Sequence, residues 1–215
     1  MGHRLPQRRK GKGTTTYRSP SNRFKAKTSF RTYDDKEKNG IINGEIIDLI
    51  DDPARNSPVM IVRFPDSTIA LPAPLGVMTG NNITAGINAS VNNGNYLPLK
   101  KIPEGTLVSN VELIPGDGGK IARTAGSKVR IISKDKNGVM LQLSSRKYKI
   151  VNEDCRAMIG IIAGGGHKVK PLYKAGKRMH KRKAKNLPWP SVRGCARNAV
   201  DHPHGGKQKR LRKNW

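Results

Sequence analysis

With 35% apolar and 5% aromatic residues, a chain of 215 residues cannot fill a hydrophobic core along its whole length, so part of it lies outside any core. The net charge of +27 divides unevenly: residues 1–33 hold ten Lys/Arg and no Asp or Glu, residues 34–166 sixteen and fourteen, and residues 167–215 sixteen and one. A near-neutral middle between two polycationic arms describes a folded body that grips a large polyanion, with arms that order only when a partner neutralises them.

In chain order, residues 1–36 form the first arm. Basic residues mixed with Gly11, Gly13, Pro20 and Ser/Thr give neither helical nor alternating periodicity, which predicts extended chain. Tyr17, Phe24, Phe30 and Tyr33 punctuate it, either to stack on unpaired bases or to pack back on the body. From Gly40 the texture changes to short β runs at 44–50, 59–64, 68–71 and 106–113, bounded by Pro, Gly, Asn or Asp. Residues 37–115 are therefore expected to form a small barrel, of which the OB type is a frequent nucleic-acid binder. A second small barrel is expected over 116–166, from runs at 128–134, 139–143, 146–151 and 158–162. Asn137-Gly138 supplies a type I′ hairpin signal within it. Val139, Leu141 and Leu143 are expected on one face and Tyr148 with Ile150 on another, leaving Lys147 and Lys149 outward. Residues 167–215 make the second arm, with a short helix expected within 172–185 that has Lys/Arg on all sides and little to bury.

An anionic membrane fits these arms poorly. Neither carries an amphipathic apolar stripe, no run of about 18 apolar residues occurs, and Pro6 stands where a myristoylation pattern needs Ser or Thr. Nucleic acid is the leading partner. Cys155 and Cys195 have neither zinc-site spacing nor the density of a disulfide framework, which predicts reduced thiols and an intracellular location. The N-terminus is charged throughout and lacks the apolar stretch of a signal peptide, so the sequons at Asn82 and Asn88 read as incidental.

Motifs for chemistry are weak. Gly116-Asp117-Gly118-Gly119-Lys120 and Gly164-Gly165-Gly166-His167 do not complete a nucleotide-binding P-loop, and their glycines suit sharp turns or close approach of backbone to RNA. Cys155 or Cys195 with His202, His204 and Asp201 would need a base and an orienting partner within hydrogen-bond reach, and sequence adjacency supplies neither. His167, His180, His202 and His204 lack the spacing of a metal site. The reading therefore calls for no enzyme activity, no metal, no cofactor and no small-molecule substrate. Pro203 restricts His202 to extended backbone and Gly205-Gly206 lets the chain turn afterwards, so this segment reads as a loop presenting two imidazoles to phosphate, 2′-OH or base edges. Trp189, between Pro188 and Pro190, either packs on a barrel or stacks on RNA.

The run from Pro190 to Gly206, Pro-Ser-Val-Arg-Gly-Cys-Ala-Arg-Asn-Ala-Val-Asp-His-Pro-His-Gly-Gly, resembles the signature of the universal large-subunit ribosomal protein L2 family. Leu97-Pro98-Leu99, Ile102-Pro103-Glu104-Gly105-Thr106, Asn110-Val111-Glu112, Pro115-Gly116-Asp117-Gly118-Gly119, Ala122-Arg123-Thr124-Ala125-Gly126 and Cys155-Arg156-Ala157-Met158-Ile159-Gly160 fit the same family in the same order, in its archaeal form. The resemblance implies an OB-like barrel followed by an SH3-like barrel, with both basic arms buried in large-subunit rRNA. It also implies primary rRNA binding near the peptidyl-transferase region, support of assembly and tRNA binding, and contacts with small-subunit rRNA at an inter-subunit bridge and with neighbouring ribosomal proteins. A part for the loop histidine in peptide-bond formation has been suggested for the family. The residues here side with positioning, because nothing supplies a base with its own orienting group. Relatives continue past the loop with more Gly and a longer basic tail, whereas here Lys207 follows and the sequence ends at Trp215.

The residues expected to bind rRNA in the first arm are Arg4, Arg8, Arg9, Lys10, Lys12, Arg18, Arg23, Lys25, Lys27 and Arg31. In the body and second arm they are Arg123, Lys174, Lys177, Arg178, Lys181, Arg182, Arg193, Arg197, His202 and His204. Arg is favoured where geometry counts, since its planar fork binds phosphate bidentately or stacks on a base.

Overall fold

Short β-branched and apolar runs between Pro, Gly, Asn and Asp breaks become strands, as their composition favours. The computed structural model describes residues 11–135 and 137–206, which fall into two units: residues 24–170, and residues 11–23 together with 171–206. The first unit holds β1 (Ile42–Ile50), β2 (Val59–Arg63), β3 (Thr68–Pro72), β4 (Asn82–Ala85) and β5 (Tyr96–Pro98). It continues with β6 (Leu107–Ser109), β7 (Val129–Asp135), β8 (Gly138–Gln142), β9 (Tyr148–Val151) and β10 (Arg156–Ile159). These strands pair in the order β3-β2-β1-β4-β5-β10-β6-β7-β8-β9, antiparallel except for a short parallel step between β4 and β5. The protein is mainly β, as its sequence predicts.

Two apolar clusters form on this curved sheet. The first gathers Ile42, Ile46, Met60, Val62, Leu71 and Ile83 with Tyr96, Met158 and Ile162. The second gathers Leu97, Leu99, Ile102, Val108 and Val111 with Val129, Ile131, Val139, Leu141, Ala157 and Ile159. Successive strand residues point to opposite faces, so β5 sends Tyr96 to one cluster and Leu97 to the other, and β10 divides Met158 from Ala157 and Ile159. The two cores therefore interleave along the chain: residues 97–111 serve the second, and Met158 and Ile162 complete the first.

Several sequence expectations change. β4 and β5, only four and three residues long, lie in Asn- and Gly-rich sequence without a readable period. In the β7–β8 hairpin, Gly138 is already a strand residue, opposite Asp135. Tyr148 and Ile150 are 61% and 55% exposed, and Val151 is the β9 residue that reaches the core. The ladder decides this: Ile150 sits opposite the outward Met140, and Val151 opposite the buried Val139.

In the second unit a helix spans Ala175–Ala184, inside the predicted window, with no buried residue. Its last turn carries Lys181, Arg182 and Lys183, where positive charge suits the helix dipole.

Candidate nucleic-acid interface

Five cations of the body line one groove of about 690 Å³: Lys25, Lys27, Arg55, Lys120 and Arg123, with Phe24, 37% exposed, also on its lining. The 25–29 segment forms one wall and the Gly118-Gly119-Lys120 bend another. Thr28 joins them. Its hydroxyl accepts from Arg55 Nη1 at 2.6 Å and from Arg123 Nη2, and its carbonyl accepts from the same Arg123 nitrogen at 2.6 Å. Arg55 is further held by the buried Asp52, 2.8 Å from Nε, and by Ala26 O at 3.0 Å. Among the described residues Arg123 makes no ion pair. Burial, and then the nearby Arg55, hold its guanidinium below the ordinary arginine value, the electrostatic condition of a site that an anion would relieve. Gly119 has φ +88, and a Cβ there would overlap the Asn110 side chain, so this close bend requires glycine.

Behind the groove lies a buried ion cluster. Arg156 donates from Nη1 to Glu37 Oε2 at 2.9 Å and to Arg31 O at 2.8 Å, and from Nη2 to Glu112 Oε1 at 2.7 Å. Its guanidinium lies 5.2 Å from the Phe30 ring and 4.7 Å from the Tyr33 ring, and Phe30 stacks on Tyr96 at 4.7 Å. Glu37 and Glu112 are fully buried, which a carboxylate tolerates only when paired. Burial raises the Glu37 carboxyl above its ordinary value against the opposing pull of Arg156. Glu112 and Glu37 raise the Arg156 guanidinium despite the opposing effect of burial.

The second unit is knitted from both arms. Asn186 Nδ2 donates to Thr15 O and Arg18 O, each at 2.7 Å, tying the turn at 14–18 to the end of the helix. Arg178 and Arg182, one helical turn apart, lie 5.2 and 5.3 Å from the Trp189 ring, so Trp189 packs against cations of its own arm. Tyr17, Arg182, Arg197 and His202 line a cavity of about 320 Å³. His204 N donates to His202 Nδ1 at 3.0 Å, which leaves the proton of the neutral ring on Nε2 as a donor. Burial, then His204 and Arg197, lower the His202 value. The ring lies against Gly194, where a Cβ would overlap it.

The structure sorts the predicted residues. Lys25, Lys27 and Arg123 converge on the groove; Arg182, Arg197 and His202 converge on the second cavity. Lys12, Arg18, Arg23, Lys174, Lys177, Lys181 and Arg193 are exposed, as are Arg178, which shares the Trp189 ring with Arg182, and His204, which bonds His202; Arg4, Arg8, Arg9 and Lys10 lie outside the described residues. Arg31 is 5% exposed and pairs with Asp34, Glu37 and Asp66, so its charge is spent inside the body. Phe30 and Tyr33 pack back on the body as well. Sequence reasoning passed over Arg55, Thr28, Glu37 and Glu112 as site residues. Cys155 is buried, and burial followed by Glu112 pushes its thiol up to about 11, which leaves it a poor nucleophile. Among the described residues no group of three or more His, Cys, Asp or Glu side chains could hold a metal ion, and no helix is long and apolar enough to cross a membrane.

Comparison with known proteins gives the family. The family model described as Ribosomal Proteins L2, C-terminal domain, matches residues 92–214. A relative from Methanococcus maripaludis is 47% identical over 207 residues, covering 96% of this chain and 86% of its own length. Relatives from Methanosphaera stadtmanae and Methanothermobacter thermautotrophicus are 47% and 45% identical over the same shares. All three are named large ribosomal subunit protein uL2. With its groove, its two arms and its loop, the chain belongs to the ribosomal protein L2 family, whose members are structural proteins rather than enzymes.

Proposed function

We propose that this protein is a structural constituent of the large ribosomal subunit that binds large-subunit rRNA directly, through the body groove and through the unit built from its two arms. The convergence of Arg55 and Arg123 on Thr28, with Lys25, Lys27 and Lys120 around them, carries this reading. Two guanidiniums fixed on one hydroxyl keep N–H donors beyond those bonds, of the kind that bind phosphate oxygens, and the exposed Phe24 offers a stacking face. In this reading the first cluster is the core of an OB-like barrel and the second that of an SH3-like barrel; the expected barrels at 37–115 and 116–166, between arms at 1–36 and 167–215, exchange segments across that boundary, residues 97–111 serving the second core and Met158 with Ile162 the first. The His202 loop positions RNA near the peptidyl-transferase region as a hydrogen-bond donor. Contacts with small-subunit rRNA at a bridge, with neighbouring ribosomal proteins and with bound tRNA's surroundings belong to the same cytoplasmic assembly.

The test is crosslinking within assembled subunits, together with competition between large-subunit rRNA and duplex DNA at matched salt. Crosslinks from both arms and the groove to large-subunit rRNA, and preference for that rRNA, are expected. Equal affinity for DNA makes the protein a general nucleic-acid compactor, and an absence of crosslinks overturns the proposal.

A further inference from the structure

We infer that Glu112, backed by Arg156 and Glu37, is a positioning residue for the cationic groove: a buried anion shapes the walls on which the groove's cations stand. The inference rests on the reading of the groove as an rRNA contact.

Glu112 is fully buried and so out of reach of any ligand. Its Oε1 accepts from Gly118 N at 2.8 Å and its Oε2 from Gly116 N at 3.2 Å, so one carboxylate holds both ends of the bend that leads into Gly119, Lys120 and Arg123. Gly118 O in turn accepts from Phe30 N at 3.2 Å, which couples the bend to the opposite wall. Arg156 orients the carboxylate through Nη2 and through its backbone N, 2.9 Å from Glu112 Oε2. The same guanidinium holds Arg31 O at 2.8 Å, three residues beyond Thr28, where Arg55 and Arg123 meet. Both walls are thus referenced to one ion cluster that RNA never touches.

Charge and positioning make opposite predictions for Glu112→Gln. Removal of a negative charge increases attraction to a polyanion. Replacement of one acceptor oxygen by an amide NH2 frees Gly116 or Gly118 from its anchor and loosens the wall. The exposed Glu153, which lines no part of the groove, provides the charge control.

Full-length protein is titrated with purified large-subunit rRNA across a salt series, with amide hydrogen exchange recorded in parallel. Glu112→Gln is expected to bind about tenfold more weakly, with a log–log salt slope shallower by about one to two phosphate contacts at ~0.9 each. Gly118 and Phe30 amides should lose protection while Met158 keeps it, and Glu153→Gln should bind as tightly as the parent or more tightly. Binding by Glu112→Gln at parental strength, with Met158 protected, overturns the inference. If Met158 loses protection, Thr28→Val decides the matter: it deletes the shared acceptor without unpairing a buried charge, and an unchanged affinity and slope overturn the inference. Arg55→Ala and Arg123→Ala separate the two levels. Parental binding by both sinks the groove reading itself, whereas weakened binding by these two and none by Glu112→Gln sinks only the positioning role.

Discussion

Replacing Arg156 by Met keeps a long apolar stem beside the Phe30 and Tyr33 rings and deletes the guanidinium between two buried carboxylates. Glu112 retains three N–H donors, from Gly116, Gly118 and the backbone of residue 156. Glu37 retains only Arg31, at 3.9 Å, among the ion pairs of the described residues. Glu37 escapes isolation by taking up a proton, and that sets the magnitude. From its ordinary value of 4.5, neutralising it at pH 7 costs about 3.4 kcal/mol, at ~1.36 kcal/mol per unit. Lost hydrogen bonds bring the total to about 3–5 kcal/mol, the usual cost of removing one partner of a buried pair. At about pH 5 the proton costs only ~0.7 kcal/mol, so the destabilisation should shrink by roughly 2.7 kcal/mol. The direction follows from a carboxyl raised in the folded state: its contribution is full below the unfolded value and is lost as pH rises through the folded one. Urea unfolding followed by circular dichroism at the two pH values measures this. Equal destabilisation at both refutes an isolated Glu37 charge as the cost, and the Arg156→Met/Glu37→Gln pair should recover the pH-dependent part.

Glu37→Gln alone should cost most at low pH and progressively less as pH rises through the raised folded value of the carboxyl, opposite to an ordinary ion-paired acid; a cost that grows between about pH 4 and 7 contradicts the raised carboxyl. Iodoacetamide at about pH 8 should label the exposed Cys195 and spare Cys155 in the folded protein, read by mass spectrometry; equal labelling shows that Cys155 is not enclosed. Gly194→Ala should push the His202 ring aside, break its hydrogen bond from His204 N, and return its titration towards 6.5 in an NMR pH series; an unchanged curve shows that the ring does not depend on Gly194.

Strands with clear alternation or β-branched runs, such as β1, β2, β7 and β8, were legible because half-buried strands write their period into the sequence. Period two tells which residues share a face, not which face is inward, so Tyr148 and Ile150 could be grouped but not placed until Met140 was known to lie opposite Ile150. Charge marked both arms in the sequence as candidates to grip a polyanion. It could not separate Arg31 from Lys27 a few residues away, because the carboxylates that claim Arg31 include Asp66, contributed by a distant turn. Arg55 stood alone beyond an acidic loop, and its meaning depends on Thr28 and Arg123, brought beside it by folding. One signal was present and unread: an arginine followed by Ala157-Met158-Ile159 in a buried strand demands a buried acid.

The sharing of β10 between the two cores gives synthesis of this chain a direction. A nascent chain that extends through β6 to Glu112 holds most of the first core but lacks Met158 and Ile162, and it holds Glu37 and Glu112 before their counter-ion Arg156 exists. The first core therefore closes late, through contacts between residues more than a hundred positions apart in sequence. A product that terminates before β10 carries the whole first arm, yet its body has an open core and two carboxylates without Arg156. Such a fragment can be attracted to RNA by charge, but it lacks the clamp that sets the groove, so incomplete chains are poor competitors of finished ones for a place in the assembly.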